Sequence, residues 1–238
     1  MRAILTFHSI DPGDTILSFP QDALAQLLAG LSLAQIPILT LDALLQQATR
    51  RGVALTFDDG FQSVYTHALP VLRDHGAPAH LFLTTGFVGG DNCGRGHGGS
   101  SLPMLDWRQV EALQAAGVRT ESHTVNHRDL CTLTNTDIAA ECDAADRVIM
   151  ARLGHHPQYF AYPYGANDER VRAIMRSRYT AALTTVLRPL RRYEDAAALP
   201  RLDSYYLRAK WFHRNLDSHP ARAYLTLRRV LRPLRHLR

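Results

Sequence analysis

Two adjacent carboxylates, Asp58 and Asp59, close the run VALTFDDGFQS (53–63), where β-branched and aromatic residues give way to Gly60. At the end of a buried run such a pair can divide acid–base work or serve a cation. Asp-Gly is equally a turn dipeptide, and Asp59 could cap a helix starting near Phe61. A second group, ESHTVNH (121–127), sets His123 and His127 four apart. On a helical turn that spacing puts two imidazoles on one face, about 5–6 Å apart at Cβ, close enough to share a metal. In a chain with 12 histidines the same spacing also arises from two polar loop residues. No glutamate follows His123, so this is not the helical HExxH pattern. Two His and one Asp make a three-ligand set with a position left for water, the arrangement of a catalytic metal. The third group, FAYPYG (160–165), reads as a structural turn, or as a rigid wall in which Pro163 fixes the backbone and aims the following N–H at a site.

The elements that must position these groups alternate. AILTF (3–7) reads as a strand, FPQDALAQLLAGL (19–31) as a helix and VALTFDD (53–59) as a strand. The helical stretch 61–76 follows, with Pro70 able to kink or divide it. Strand 78–85, a loop over 86–102 with seven glycines, helix 106–117 and strand 118–124 come next. Over 135–154, apolar residues at 138, 142, 145 and 149 keep a helical period. Strand 159–164, helix 167–178 and strand 180–185 complete the series. Repeated β–α alternation implies a parallel sheet covered by helices, open or closed into a barrel. In such folds functional groups gather at the C-terminal strand ends, where Asp58, Asp59, His123 and Tyr164 all fall. No repeat or Pro/Ser-rich linker divides the 238 residues, so one domain over 1–238 is expected, with a basic tail from about 220.

With 46% hydrophobic and 21% charged residues the chain is in the globular range. Its +5 charge hides an asymmetry: residues 1–175 carry 12 Lys+Arg against 18 Asp+Glu, and residues 176–238 carry 15 against 4. That polarity suits an anionic surface or an acidic partner, or is simply a solvated face; no recognised nucleic-acid motif accompanies it. Cys93, Cys131 and Cys142 have no CxxC spacing and read as reduced thiols. No apolar run approaches the roughly 18 residues that span a bilayer, and MRAILTFHSIDPGD lacks the apolar stretch of a signal peptide. With Met1 as the start, a cytoplasmic protein is expected.

Taken together, these residues resemble the NodB-like polysaccharide deacetylases, carbohydrate esterase family 4. TFDDG (56–60) matches that family's first motif, SHTVNH (122–127) its second, H-[ST]-x-x-H, and YPYG (162–165) the end of its third, R-x-P-Y. The resemblance implies a distorted (β/α) barrel with about seven parallel strands, a divalent metal, usually zinc, and removal of N- or O-acetyl groups from glycans. Carried over, Asp59, His123 and His127 hold the metal and Asp58 is the general base. Coordination can bring a bound water's pKa to about 7, so a nearby carboxylate can take its proton at neutral pH. The oxyanion would be met by the metal and by the backbone N–H of Tyr164.

Two departures stand out. Ala161 occupies the place of the arginine expected two residues before Pro163, and the usual C-terminal leucine-x-histidine strand is hard to find. A circularly permuted subset, similar to biofilm poly-N-acetylglucosamine deacetylases, carries the last motif's histidine first in the chain. ILTFHSI (4–10) resembles that strand and makes His8 the general-acid candidate, with His213 its competitor; alone, His8 reads as a core histidine. LPRLDSYYLR (199–208) resembles the remaining motif, so that Asp203 would orient His8 and Arg201 would replace the missing arginine beside Asp58. Asp106 and Trp107 would line the substrate cleft.

Finally, ARAYLTLRRVLRPLRHLR (221–238) has apolar residues at 224, 227 and 231 and arginines at 222, 228, 229 and 232. It reads as an amphipathic basic helix broken near Pro233, which either packs on the barrel and frays or docks on an anionic inner leaflet. The leading expectation is a metal-dependent N-deacetylase of glycans or their precursors. A small amide substrate at the same metal site, or a glycan-binding protein whose catalysis has decayed, are the alternatives.

Overall fold

A computed structural model describes residues 1–91 and 102–231. Cys93, Arg232, Pro233 and most of the glycine-rich loop lie outside the described residues. Seven strands run parallel and close on themselves: β1 (Arg2–Phe7), β2 (Gly52–Asp59), β3 (Ala79–Leu83), β4 (Val118–Ser122), β5 (Tyr159–Ala161), β6 (Ala181–Leu187) and β7 (Leu199–Asp203). β1 pairs with β2 in unbroken register from Arg2↔Gly52 to Phe7↔Phe57, and β7 returns to β1 through Leu202↔Leu5 and Asp203↔Thr6. The barrel form of the expected α/β fold is therefore the observed one.

Strands buried on both faces need apolar residues at nearly every position, and pleating sorts them. Ala3, Leu5, Phe7, Val53, Leu55 and Phe57 turn outward into the layer under the helices. Ile4, Ala54, Phe82, Tyr159, Ala161 and Leu183 turn inward and fill the barrel. The same parity sends Thr56, Asp58 and Arg201 inward, and with them the buried pair His80 and Glu121, 3.4 Å apart near the opposite end of the barrel.

The helices are α1 (Gln21–Leu33), α2 (Leu41–Leu45), α3 (Leu69–Asp74), α4 (Trp107–Ala115), α5 (Asn135–Leu153), α6 (Glu169–Arg178), α7 (Lys210–Asn215) and α8 (His219–Leu231). α5 has the expected face, with Ile138, Cys142, Ala145 and Ile149 buried, and ends at Gly154 in the left-handed conformation (φ 74°). The stretch 61–76 is divided as Pro70 suggested: a wide turn over Val64–Ala68 precedes α3, where a proline in the first turn loses no hydrogen bond. The expected strand 159–164 stops at Ala161, because Pro163 ends the ladder and Tyr164 turns left-handed at φ 59°.

Candidate active site

The two aspartates face the same place because the strand is bent where they meet. In a regular strand neighbouring side chains point to opposite faces. Asp59 (φ 70°) and Gly60 (φ 100°) break that alternation. The φ of 100° at Gly60 is one that residues with a Cβ rarely adopt, and a Cβ there would also press on Leu83 Cδ1 at 2.6 Å. Asp58, 2% exposed, receives both arms of Arg201: Nη1 donates to Oδ1 at 2.8 Å and Nη2 lies 2.7 Å from Oδ2. Arg201 is itself 2% exposed and donates through Nε to the Thr184 carbonyl at 2.9 Å. Burial pushes the Asp58 carboxyl up, but Arg201, with His123 and His8, outweighs it and holds the pKa below its ordinary value.

His123 leaves the end of β4 and His127 follows in a loop. A helical turn is one way to pair rings four residues apart; the structure uses left-handed residues at Thr124 (φ 66°) and His127 (φ 52°). The rings still meet, with centroids 4.8 Å apart. Thr124 Oγ1 accepts from the His127 N–H at 3.0 Å. Glu141, buried on α5, accepts from the N–H groups of Val125 and Asn126 at 3.1 and 2.9 Å and from Asn126 Nδ2 at 2.9 Å. Of the five non-glycine residues with positive φ among the described residues, four (Asp59, Thr124, His127 and Tyr164) are at this site, and such strain persists where surrounding structure overdetermines it.

Asp59 Oδ1 lies 3.2 Å from His123 Nε2 and 3.3 Å from His127 Nε2, and the three ligand atoms fall within 4.8 Å of one another. The donor set fits a divalent cation. His123 Nδ1 is 2.7 Å from the Ala161 carbonyl, which can only accept, so Nδ1 carries the proton. In the neutral ring Nε2 then points a lone pair at a carboxylate oxygen, and only a positive charge, a proton or a metal ion, reconciles the two. Burial lowers the His123 pKa, but its contact with Asp59 and the charges of both aspartates raise it overall. Burial likewise raises the Asp59 carboxyl, and its bonds to His123 and His127 hold it well below the usual range.

Other expected residues divide. Tyr164 stands over His127, with ring centroids 4.6 Å apart, and is 52% exposed. His8, just past β1, is near enough for its charge to depress both aspartates, and its Nδ1 is buried without a hydrogen-bond partner among the described residues. No hydrogen bond joins it to Asp203, whose carboxylate accepts from the Tyr205 N–H at 2.9 Å and caps the turn after β7. His213 lies on α7, packed edge-on against Phe19 and bonded to the Leu207 carbonyl; burial lowers its pKa, and neither aspartate is among the charges acting on it. Asp106 closes the capping box of α4 with Gln109, and Trp107 lies under Arg152. An open groove of about 500 Å³ leads from His127 along Asn126, Arg128, Asp129 and Thr132 to Tyr164. Glu141 escaped the sequence reading, although an acid on the apolar stripe of α5 is the kind of buried polar residue that asks for a partner.

Residues 46–181 match the profile of the family described as polysaccharide deacetylase. The poly-beta-1,6-N-acetyl-D-glucosamine N-deacetylase of Staphylococcus aureus (strain MSSA476) is 26% identical over 173 residues, 66% of this chain and 53% of that protein. The chain spans about half the length of the curated relatives it matches. Among solved structures, IcaB from Ammonifex degensii superposes with a TM-score of 0.74 at 24% identity, covering 89% of this chain and 96% of its own. The Streptococcus pyogenes deacetylase PplD gives 0.72 at 22% identity, covering 84% and 91%. These two likenesses are of fold.

Proposed function

The chain belongs to the polysaccharide deacetylase family, and from that premise we propose that it hydrolyses the N-acetyl group of an N-acetylated amino sugar within a glycan. The observation that carries this reading is the convergence of Asp59, His123 and His127 beside a second, separately held carboxylate, Asp58. Asp59, His123 and His127 would hold the divalent ion, zinc being the commonest for such a donor set, and when bound it supplies Lewis acidity towards water and the acetyl carbonyl.

The remaining work falls to the chain. Asp58 takes a proton from the attacking water; Arg201 keeps it ionised and fixes the direction of its free lone pairs. The backbone N–H of Tyr164, turned by the left-handed conformation after Pro163, meets the oxyanion. His8 returns a proton to the departing amine. The groove beside His127 is open and lined by polar side chains, which supports a glycan chain laid across the mouth over a small amide.

The test is acetate release from N-acetylglucosamine oligomers, first with chelated protein and then with zinc restored. Zinc-dependent release is expected. Stoichiometric zinc binding with no release from any oligomer would remove the deacetylase reading and leave the metal site standing.

A further inference from the structure

The C-terminal pair of helices carries a surface that the chemistry above does not use. α7 and α8 pack inward through Phe212, Leu216, Ala221 and Leu225. Tyr224 closes the pair, its ring 5.0 Å from Phe212 and 5.9 Å from Trp211. The outside is apolar as well: Trp211 is 42% exposed, Leu227 56%, Val230 60% and Leu231 40%. Positions 227, 230 and 231 share one helical face, and Tyr224, one turn earlier, joins them to Trp211. Isolated exposed apolar residues need no explanation, but a contiguous patch marks a contact surface.

Cations border the patch. Arg228 lies 5.0 Å over the Tyr224 ring, Arg222 and Arg229 are exposed on the other flank, and Lys210 begins α7. The one acid between Lys210 and Leu231 is Asp217. It is already engaged by the Met1 ammonium at 2.8 Å, Arg222 at 2.6 Å and Arg51 at 3.4 Å. The positive charge beside the patch is therefore largely uncompensated.

We propose that this face seats on an anionic phospholipid bilayer, with α8 lying along the interface, Trp211, Leu227, Val230 and Leu231 entering the headgroup boundary, and the arginines reaching the phosphates. The combination selects this occupant. A soluble polyanion would satisfy the arginines and leave the apolar row in water, whereas a second copy of the chain would bring arginine against arginine. A helix with an apolar face flanked by arginines fits both requirements of an anionic interface. Among the described residues no helix is long and apolar enough to cross a membrane, so the contact is peripheral.

The experiment is sedimentation of the full chain with vesicles of phosphatidylcholine alone or mixed with phosphatidylglycerol, while following tryptophan emission. Binding to the mixed vesicles only, with a blue shift that Trp211→Phe removes, is expected. Arg228→Glu/Arg229→Glu and Leu227→Ser/Val230→Ser should each weaken binding at least about tenfold; the substituted side chains are surface groups, so circular dichroism should be unchanged. Equal binding to both vesicle types, or none, overturns the proposal. So does a vesicle-independent dimer that Leu227→Ser/Val230→Ser dissolves, which would give the face to a second copy. Heparin binding that competes fully with vesicles and leaves Trp211 emission unshifted would give it to a soluble polyanion.

Discussion

Arg201, on the last strand of the barrel, grips Asp58, on the second, with one guanidinium nitrogen on each carboxylate oxygen across 143 residues of sequence. Both side chains are withdrawn from water, so neither charge is tolerable without the other. Ala161, where the family places an arginine, contributes only its carbonyl, to His123. In this chain the cation that pairs with Asp58 therefore comes from β7.

Replacing Arg201 by Met should therefore cost more than a surface pair would. Breaking one side of a buried pair is worth about 3–5 kcal/mol, and a lowered urea midpoint of the metal-free protein at neutral pH would measure it. Asp58→Asn/Arg201→Met should recover much of the loss, because no buried charge is left alone. A double mutant no more stable than Arg201→Met would mean that the guanidinium acts mainly through packing.

The same pair sets a pH dependence. Burial raises the Asp58 carboxyl, and Arg201 is the first of the groups that bring it below its ordinary value. With Arg201 removed the pKa rises, so the acid limb of kcat/KM should move to higher pH while the alkaline limb stays. For stability the sign is that of a depressed carboxylate: the contribution is present above the ordinary value near 3.8 and is lost as pH falls through the lowered folded one. An acid limb that stays put in Arg201→Met would separate Asp58 from the rate.

Why some of this was readable and some was not has a physical basis. Asp58, Asp59, His123 and His127 announce themselves because ionisable residues at the ends of apolar runs are costly unless used. Arg201 could be suspected only through LPRLDSYYLR; as a strand, 199–203 is hidden by Pro200, Arg201 and Asp203, which break the apolar run expected of a buried parallel strand. The inward positions of β7 accept an arginine because Asp58 faces it. The left-handed turns after β4 could not be read, because nothing in His-Thr-Val-Asn-His demands them and a β-branched Thr124 argues against one. Glu141 and Thr124 hold that loop mainly through its backbone N–H groups; the acid on the apolar stripe of α5 signals a partner, but residue spacing does not say which.

Glu141 makes a prediction of its own. It touches none of the three candidate ligands, yet it fixes the two N–H groups before His127. Glu141→Ala should weaken zinc affinity about 10–100-fold, as loss of outer partners generally does, with zinc occupancy followed by calorimetry. Excess zinc should restore most of the acetate release. His127→Ala, which deletes a ligand outright, should not be rescued in this way. Unaltered zinc affinity in Glu141→Ala would mean that the loop holds its shape without this carboxylate.

The choice between His8 and His213 as general acid can be tested by substituting each. His8 follows β1 at the barrel end where both aspartates stand, and it is among the charges acting on both. His213 is packed against Phe19 on α7 and tied to Leu207. General-acid help is typically worth about 10²–10⁴-fold, so His8→Ala should lower kcat by that order and flatten the alkaline limb, with zinc binding retained. An activated acetyl ester should lose much less, because its leaving group departs without a proton. His213→Ala should leave kcat and the pH profile in place and reduce thermal stability, since it removes a core contact. The reverse pattern, a flattened alkaline limb in His213→Ala and a normal one in His8→Ala, would require α7 to move towards the barrel mouth during turnover. With Phe212 and Leu216 buried on either side of His213, that movement would have to open the packing against α1.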